Sequence, residues 1–265
     1  MTNIQPFTEF PAQARRAIRY VLLDIDDTLT VEGRLTAAAY GALEKLSERG
    51  LRIIPVTGRP AGWCDMIARF WPVDAVIGEN GAFYFRYDPQ MRRMRRCFWL
   101  ADAEREAASM RLAQLGNAII AAVPGARLAA DQRYRVADLA IDYAEDTGPL
   151  PSADVDRIVA LAKGAGATAK ISSIHVNVWF GDWEKLAMTR RLFREACDVD
   201  LDQQREVAVF IGDSPNDEPM FAYFPYSVAV ANIRPFLPRL TSLPAYITEK
   251  SAGTGFVEFA ELLLS

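Results

Sequence analysis

Histidine occurs once in the 265 residues, as His175, and cysteine three times, at Cys64, Cys97 and Cys197. So few imidazoles and thiols, set so far apart, exclude a Cys/His zinc cluster, and an odd, scattered cysteine set excludes a disulfide framework and points to a reducing cytoplasm. Positive charge is not in excess: 30 basic against 34 acidic side chains leave a formal net charge of −4, which argues against nucleic acid as a partner. No apolar run approaches the roughly 18 residues of a membrane span. The stretch Met1–Ile18 lacks the charged start, apolar middle and small-residue cleavage site of an export signal. What is present is the composition of a folded globular chain, 51% hydrophobic and 24% charged, long enough to bury a full core and carry a second lobe.

From residue 20 onward, short β-branched runs alternate with helix-period stretches, the pattern of a parallel sheet covered by helices. Tyr20–Leu23 reads as the first strand, Thr36–Arg49 as a crossover helix stopped by Gly50, Leu51–Val56 as the second strand, Gly62–Phe70 as a helix and Ala75–Ile77 as the third strand. The alternation returns with a helix over Trp183–Cys197, strands at Val207–Ile211, Ser227–Val230 and Ala245–Thr248, and a closing helix from Phe256. Between Phe83 and Phe180 the grammar changes. A hairpin around Asp88-Pro89-Gln90, a helix over Ala101–Val123, strands at Ala137–Tyr143 and Ile171–Phe180, and a helix over Ser152–Lys163 read as an inserted α/β lobe. The predicted division is a Rossmann-like α/β core over residues 1–82 and 183–265, with a lobe over 83–182.

Ligands of open parallel sheets sit beyond the carboxyl ends of the strands, so the polar residues that follow each apolar run converge in space. Here those residues are Asp24-Ile25-Asp26-Asp27-Thr28, Thr57-Gly58-Arg59 and Gly212-Asp213-Ser214-Pro215-Asn216-Asp217. Asp24, Asp26, Asp213 and Asp217 in one cleft repel one another unless a cation neutralises them or their proton affinities rise. An all-oxygen donor set without imidazole or thiolate suits Mg²⁺, whose shell a phosphate completes, and the expected ligand is a small phosphate ester. Each acid taken singly is equally well read as a turn former or helix cap; three strand ends together are not. Lys185 stands out because, with Asp182 as cap, it falls at the third helical position, where a cation opposes the helix dipole. A bound phosphate compensates it there.

Taken in order, Asp24-Ile25-Asp26-Asp27-Thr28, Thr57 in Val56-Thr57-Gly58-Arg59-Pro60, Lys185 and Gly212-Asp213-Ser214-Pro215-Asn216-Asp217 resemble the four motifs of the haloacid dehalogenase superfamily. The large insertion between the second and third motifs, together with Gly78-Glu79-Asn80-Gly81-Ala82, looks like its type IIB branch of Cof-like, sucrose-phosphatase-like and trehalose-phosphatase-like enzymes with an α/β cap. The resemblance implies an Mg²⁺-dependent phosphatase of a sugar phosphate or related metabolite. It casts Asp24 as the nucleophile that becomes an aspartyl-phosphate and Asp26 as general acid and base. Thr57, Gly58 and Lys185 become the phosphate binders, and Asp24, the Asp26 carbonyl and Asp213 the metal ligands. Asn216 and Asp217 orient metal-bound water. A phosphosugar mutase or phosphotransferase, and a non-catalytic phosphate-binding protein, stand as alternatives. Asp27 replaces a common glycine at a position that need not point into the site.

In the inserted lobe, strand parity puts Ser173, His175, Asn177 and Trp179 on one face, and Asp138 and Asp142 opposite the apolar row Ala137, Leu139, Ile141 and Tyr143. Two polar faces suggest a roof that reads substrate hydroxyls, with His175 and Asn177 as the candidates; a face toward bulk water is the plainer reading of Asp138 and Asp142. Arg92, Arg93, Arg95 and Arg96 read as a charged strand edge, Trp63 and Trp71 as packing, and Gly81 and Gly181 as hinges.

Overall fold

The computed structural model describes residues 4–265; residues 1–3, the start of the stretch that lacks an export signal's pattern, lie outside it. The chain opens with β1 (Gln5–Pro6) and α1 (Ala12–Ala17), two short elements that carry no periodic signal. It continues through β2 (Tyr20–Leu23), α2 (Ala37–Glu48), β3 (Arg52–Pro55), α3 (Ala61–Phe70) and β4 (Val76–Gly78). Thr36 caps α2, its hydroxyl accepting the Ala39 N–H at 3.2 Å, and Gly50 turns the chain out of it at φ +88°.

The second segment holds the hairpin β5 (Phe83–Asp88) and β6 (Arg93–Phe98), the long helix α4 (Asp102–Ala122), and β7 (Arg127–Leu128), β8 (Leu139–Asp142), α5 (Ser152–Gly164), β9 (Thr168–Ile171) and β10 (His175–Trp179). The chain then returns through α6 (Lys185–Leu192), β11 (Ala208–Gly212), α7 (Glu218–Tyr223), β12 (Ser227–Ala229), β13 (Tyr246–Ile247) and α8 (Ala252–Leu264).

Six parallel strands in the order β1-β13-β12-β11-β2-β3 form the central sheet; five of them fall on the alternating runs, whereas β1 has no such run and the expected third strand at Ala75–Ile77 instead joins β5 and β6 in a separate antiparallel sheet, because the hairpin that follows it folds back on it. Each interior strand is apolar on both sides, because helices cover both faces. Val21, Leu23, Val209 and Ile211 pack toward α2 and α8, and Tyr20, Leu22, Ala208 and Phe210 toward α6 and α7. Burying a Leu or Phe of this kind stabilises the fold by about 1.5–3 kcal/mol each.

A four-stranded antiparallel sheet, β7-β8-β10-β9, forms the second lobe. Its apolar face, with Leu139, Ile141, Val176 and Val178, packs on Leu112, Leu115 and Ile119 of α4 and Ile158 of α5. The alternate residues Asp138, Ala140, Asp142, His175 and Asn177 are buried too, so that face does not meet bulk water. The sheet differs from the sequence reading at one end. Ile171–Phe180 is not a single strand but two, joined by a turn at residues 172–174 in which Ser172 Oγ accepts the His175 N–H at 3.0 Å.

The β5–β6 hairpin opens the inserted segment, yet its contacts are with the core. It pairs with β4, which bridges the central sheet through Val56 and Ile77, while Phe83 and Phe85 pack on Cys64 and Ile67 of α3 and Tyr84 Oη donates to Glu195 at 2.8 Å. Strand β6 is an edge, and Arg95 and Arg96 on it pair with Glu195 and Asp65. Among the described residues no helix is long and apolar enough to cross a membrane.

Candidate active site

Strand β2 ends at Leu23, and the Asp24 N–H continues the ladder by bonding Ile211 O at 2.9 Å, which fixes the next side chain at the sheet's carboxyl edge. Asp24 is 4% exposed, and its Oδ1 accepts from Lys185 Nζ at 2.6 Å. Lys185 is the first residue of α6 rather than the third. Glu184 occupies the cap position, and the Asp182 carboxylate accepts from Trp99 Nε1 instead. The cation at the helix start is compensated inside the protein, since Nζ also donates to Asp217 Oδ1 at 2.7 Å. Burial opposes the charge on Lys185, but Asp217 and Asp24 outweigh it and hold the ammonium protonated.

The strand end after β11 is built around Asp217. Its Oδ2 accepts the N–H groups of Asp213 and Ser214 at 3.1 and 3.3 Å, and any Cβ on Gly212 would stand 2.4 Å from that oxygen. Asp213 is approached by Thr28 Oγ1 and Asn232 Nδ2, each at 3.3 Å. Burial, reinforced by Asp24 and Asp217, pushes Asp213 well above the usual carboxylate range. Burial also pushes Asp24 up to about 8, against the pull of Lys185. These two buried acids lack sufficient positive charge of their own.

Thr57 is fully buried after β3, its Oγ1 accepting the Arg59 N–H at 3.1 Å. A Cβ on Gly58 would come within 3.2 Å of Asn80 Nδ2 and 3.4 Å of Asn177 Oδ1, so core and second lobe meet closely over this glycine. Asn216 Oδ1 accepts from Ser214 Oγ at 2.7 Å, and its Nδ2 reaches Asn80 Oδ1 at 3.4 Å. The structure thus brings all the expected core residues, Asp24, Asp26, Thr57, Gly58, Lys185, Asp213, Asn216 and Asp217, to one edge of the sheet. From the second lobe, Ser172, Ser173, Ile174, His175 and Asn177 close over Asp24, Asp26, Gly58, Arg59, Ser214 and Asn216, leaving a cavity of about 10 Å³. A wider, open groove of about 960 Å³ runs along the β5–β6 hairpin, but it holds arginines and no paired acids of this kind.

Several residues bind the lobes together in ways the sequence reading does not assign, and Asp131, Arg135 and Glu145 are absent from it. Arg59 is 3% exposed and grips Asp26 through Nε and a terminal nitrogen at 2.9 and 2.7 Å; the same terminal nitrogen donates to Glu145 at 2.7 Å. Its guanidinium lies over the Trp63 ring at 4.4 Å, so Trp63 supports the site rather than only filling space. Arg135 joins Asp131 and Asp138 and donates to Gly58 O at 2.8 Å. Glu79, fully buried after β4, accepts N–H groups from Ala61 in the core and from Val136, Ala137 and Asp138 in the second lobe at 2.6–3.2 Å.

Asp142 accepts four successive N–H groups from Ala144 to Thr147. The expected roof residues serve similarly. Asn177 Nδ2 donates to Asp138 at 3.0 Å, and His175 Nε2 lies 2.9 Å from Glu145 Oε2, without the alignment of a full hydrogen bond. Asp27 is no bystander. It holds φ +54°, a conformation that explains the preference for glycine there, and it is half-buried close enough to Asp213 to raise that residue's proton affinity. The rule that polar residues after a strand face the site names Arg59 after β3, and the same rule applied to β8 would have found Glu145.

Fold and site together define an α/β protein with a cluster of acids gathered at parallel strand ends beneath a second lobe. The chain belongs to the haloacid dehalogenase-like hydrolases, whose family model matches residues 21–95 and 155–259. Among solved structures it is similar to Thermoplasma acidophilum 0175, with 20% identity and a TM-score of 0.69 over 94% of this chain and 99% of that one. The Synechocystis sucrose-phosphatase, in complex with sucrose and phosphate, is similar with 17% identity and a TM-score of 0.62 over 92% and 97%. A haloacid dehalogenase subclass IIB sugar phosphatase gives 14% and 0.61 over 92% and 98%. At these identities the likeness is one of fold. No curated protein matches the chain.

Proposed function

We propose that the protein is an Mg²⁺-dependent phosphomonoester hydrolase that acts on a sugar phosphate or related small metabolite through an aspartyl-phosphate at Asp24. The observation that carries the reading is the separation of two neighbouring carboxylates by their partners: Asp24 is held by Lys185, while Asp26 is oriented by Arg59 in the same closed cavity. Pairs of acids in contrasting surroundings suit one to attack and the other to move protons.

Asp24 attacks phosphorus, the bond from phosphorus to the leaving oxygen breaks, and Asp26 supplies that oxygen's proton. Water then attacks the acyl phosphate, Asp26 takes its proton, and inorganic phosphate leaves with Asp24 restored. Lys185, Thr57 and the Gly58 backbone hold the phosphoryl oxygens. Asp24, Asp213 and the Asp26 carbonyl would hold Mg²⁺, and Asn216 and Asp217 would orient water beside it. The fit rests on the two buried acids Asp24 and Asp213, whose proton affinity is raised by burial and by the carboxylates around them, a repulsion that a divalent cation would relieve. No three His, Cys, Asp or Glu side chains among the described residues form a ready-made metal cluster, but Mg²⁺ takes few protein ligands and keeps its waters. When bound, Mg²⁺ supplies charge neutralisation to the transferring phosphoryl group.

The segment over residues 83–182 acts as the cap, its four-stranded sheet forming the roof and its leading hairpin resting on the core. A cavity of about 10 Å³ holds about one water, so substrate entry requires the cap to lift. Three free cysteines accord with a cytoplasmic setting.

The test is phosphate release from p-nitrophenyl phosphate and a panel of hexose, disaccharide and glycerate phosphates, with Mg²⁺ or excess chelator, for wild type and Asp24→Asn. Metal-dependent turnover that falls by roughly a thousandfold or more in the variant supports the reading. Transfer to a second sugar without net phosphate release favours a mutase, and binding without either favours a non-catalytic role.

A further inference from the structure

We infer that Glu145 is a positioning residue which, from the second lobe, acts through Arg59 to aim the Asp26 carboxylate at the leaving group. The inference rests on the reading of Asp26 as acid and base.

A guanidinium offers five N–H donors in a fixed fork, and a carboxylate gripped by two of its nitrogens is held in plane as well as in place. Arg59 uses Nε and one terminal nitrogen on Asp26. The fork itself needs an outer anchor. In the core only the Trp63 ring supports it, by a contact that leaves rotation in the ring plane free. The second lobe supplies two carboxylates. Asp131 stands off at 3.5 Å and is already committed to Arg135 through both oxygens, at 3.0 and 3.1 Å. Glu145 engages at 2.7 Å, on the same terminal nitrogen that holds Asp26.

Glu145 is placed to hold Arg59. Asp26, Arg59 and His175 line the small cavity, and Glu145 is not among its lining residues. Its backbone N–H is fixed by the Asp142 carboxylate at 2.9 Å, and its second oxygen faces His175 Nε2. Burial works against its charge, but His175 and Arg59 pull its carboxyl down to about 2. The chain of contacts Asp142, Glu145, Arg59, Asp26 therefore exists only when the second lobe is seated. Closing the lobe and aiming the proton carrier become one event, and an attack on phosphorus with the lobe open finds its acid misdirected.

The test compares kcat/KM, which reports the first transfer, over aryl phosphates from phenyl to p-nitrophenyl in Mg²⁺ for wild type, Glu145→Gln, Arg59→Lys and the double variant. These esters carry no hydroxyl on the leaving group, so a lost sugar contact cannot mimic the effect. Glu145→Gln is expected to raise the ratio of p-nitrophenyl to phenyl turnover by about tenfold, because only the poor leaving group needs the proton. The double variant adds little to Arg59→Lys, since both act on one carboxylate. A uniform loss across the series, or no loss, with an unchanged unfolding transition overturns the inference. Failure of the wild type to release phosphate from any ester overturns the functional reading and this inference together.

Discussion

Lys185 sits between two buried carboxylates, and the consequence of losing it follows from that placement. Lys185→Met leaves Asp24 and Asp217 buried without their shared cation, and removing one partner of such a group costs about 3–5 kcal/mol. Urea unfolding of the metal-free variant against wild type measures it, and a change below about 1 kcal/mol contradicts the assignment. Glu79→Gln is a second case. An amide cannot accept through both ends as the ionised carboxylate does, so above about pH 8 its NH₂ meets N–H donors, and a loss of about 1–3 kcal/mol is expected by the same measurement at that pH.

At this scale the sequence was most legible where chemistry is local. Asp24, Thr57, Asp213 and Asp217 follow apolar runs directly, and the strand-end rule finds them. Arg59 and Glu145 are 86 positions apart, and only the docking of one lobe on the other makes them neighbours. Asp138 and Asp142 look like solvated residues because alternation names a face without naming what covers it.

Among the elements, the connections carry the specificity. Gly81 holds φ +105°, and any Cβ there would lie 2.3 Å from the carbonyl oxygen of Glu184, the cap residue of α6. The turn that leads into the β5–β6 hairpin and the start of α6 are thus in direct backbone contact, so Gly81 is packed within the core rather than free to act as the expected hinge. Gly81→Ala should lower the thermal midpoint through roughly 1–3 kcal/mol of strain and displace α6 with its lysine; calorimetry and activity are expected to fall together. The parallel core was readable because each crossover helix carries its own start and stop, as Thr36 and Gly50 show for α2. The split of Ile171–Phe180 into β9 and β10 was not, since Ser172-Ser173-Ile174 contains neither glycine, proline nor asparagine and the turn is made by a serine side chain. Helix α8 begins at Ala252, four residues before the expected Phe256, because Asn232 Oδ1 accepts the Ala252 N–H from outside the helix.

For the molecule as a whole, buried acids set the response to pH. Asp24 and Glu79 have unfolded values near 3.8 and 4.5, and both rise to about 8 on folding, chiefly through burial. Across that window the folded protein holds protons that the unfolded chain has released, so stability falls as pH rises from 5 to 8. Glu145, held down to about 2, works in the opposite sense, but only below its ordinary value. Mg²⁺ relieves the same repulsion once the protons have left. The thermal midpoint of metal-free protein is therefore expected to decline from pH 5 to 8, and the rise on adding Mg²⁺ to grow over that range. A metal effect that is constant or shrinks with pH counts against the assignment. Small-angle scattering supplies a separate check: the lobes must part to admit an ester, so the radius of gyration should fall when a phosphate analogue such as vanadate with Mg²⁺ is added to an opened population.

His175 carries one further consequence. As the chain's sole imidazole, 3% exposed at the junction of the lobes, it yields a single set of ring resonances in a ¹⁵N spectrum with no assignment step. It is also the one imidazole that an acylating reagent can modify, slowly while the lobes are shut and quickly when they separate. The opening rate can thus be followed by a label that nature has already placed, without adding a dye or a cysteine.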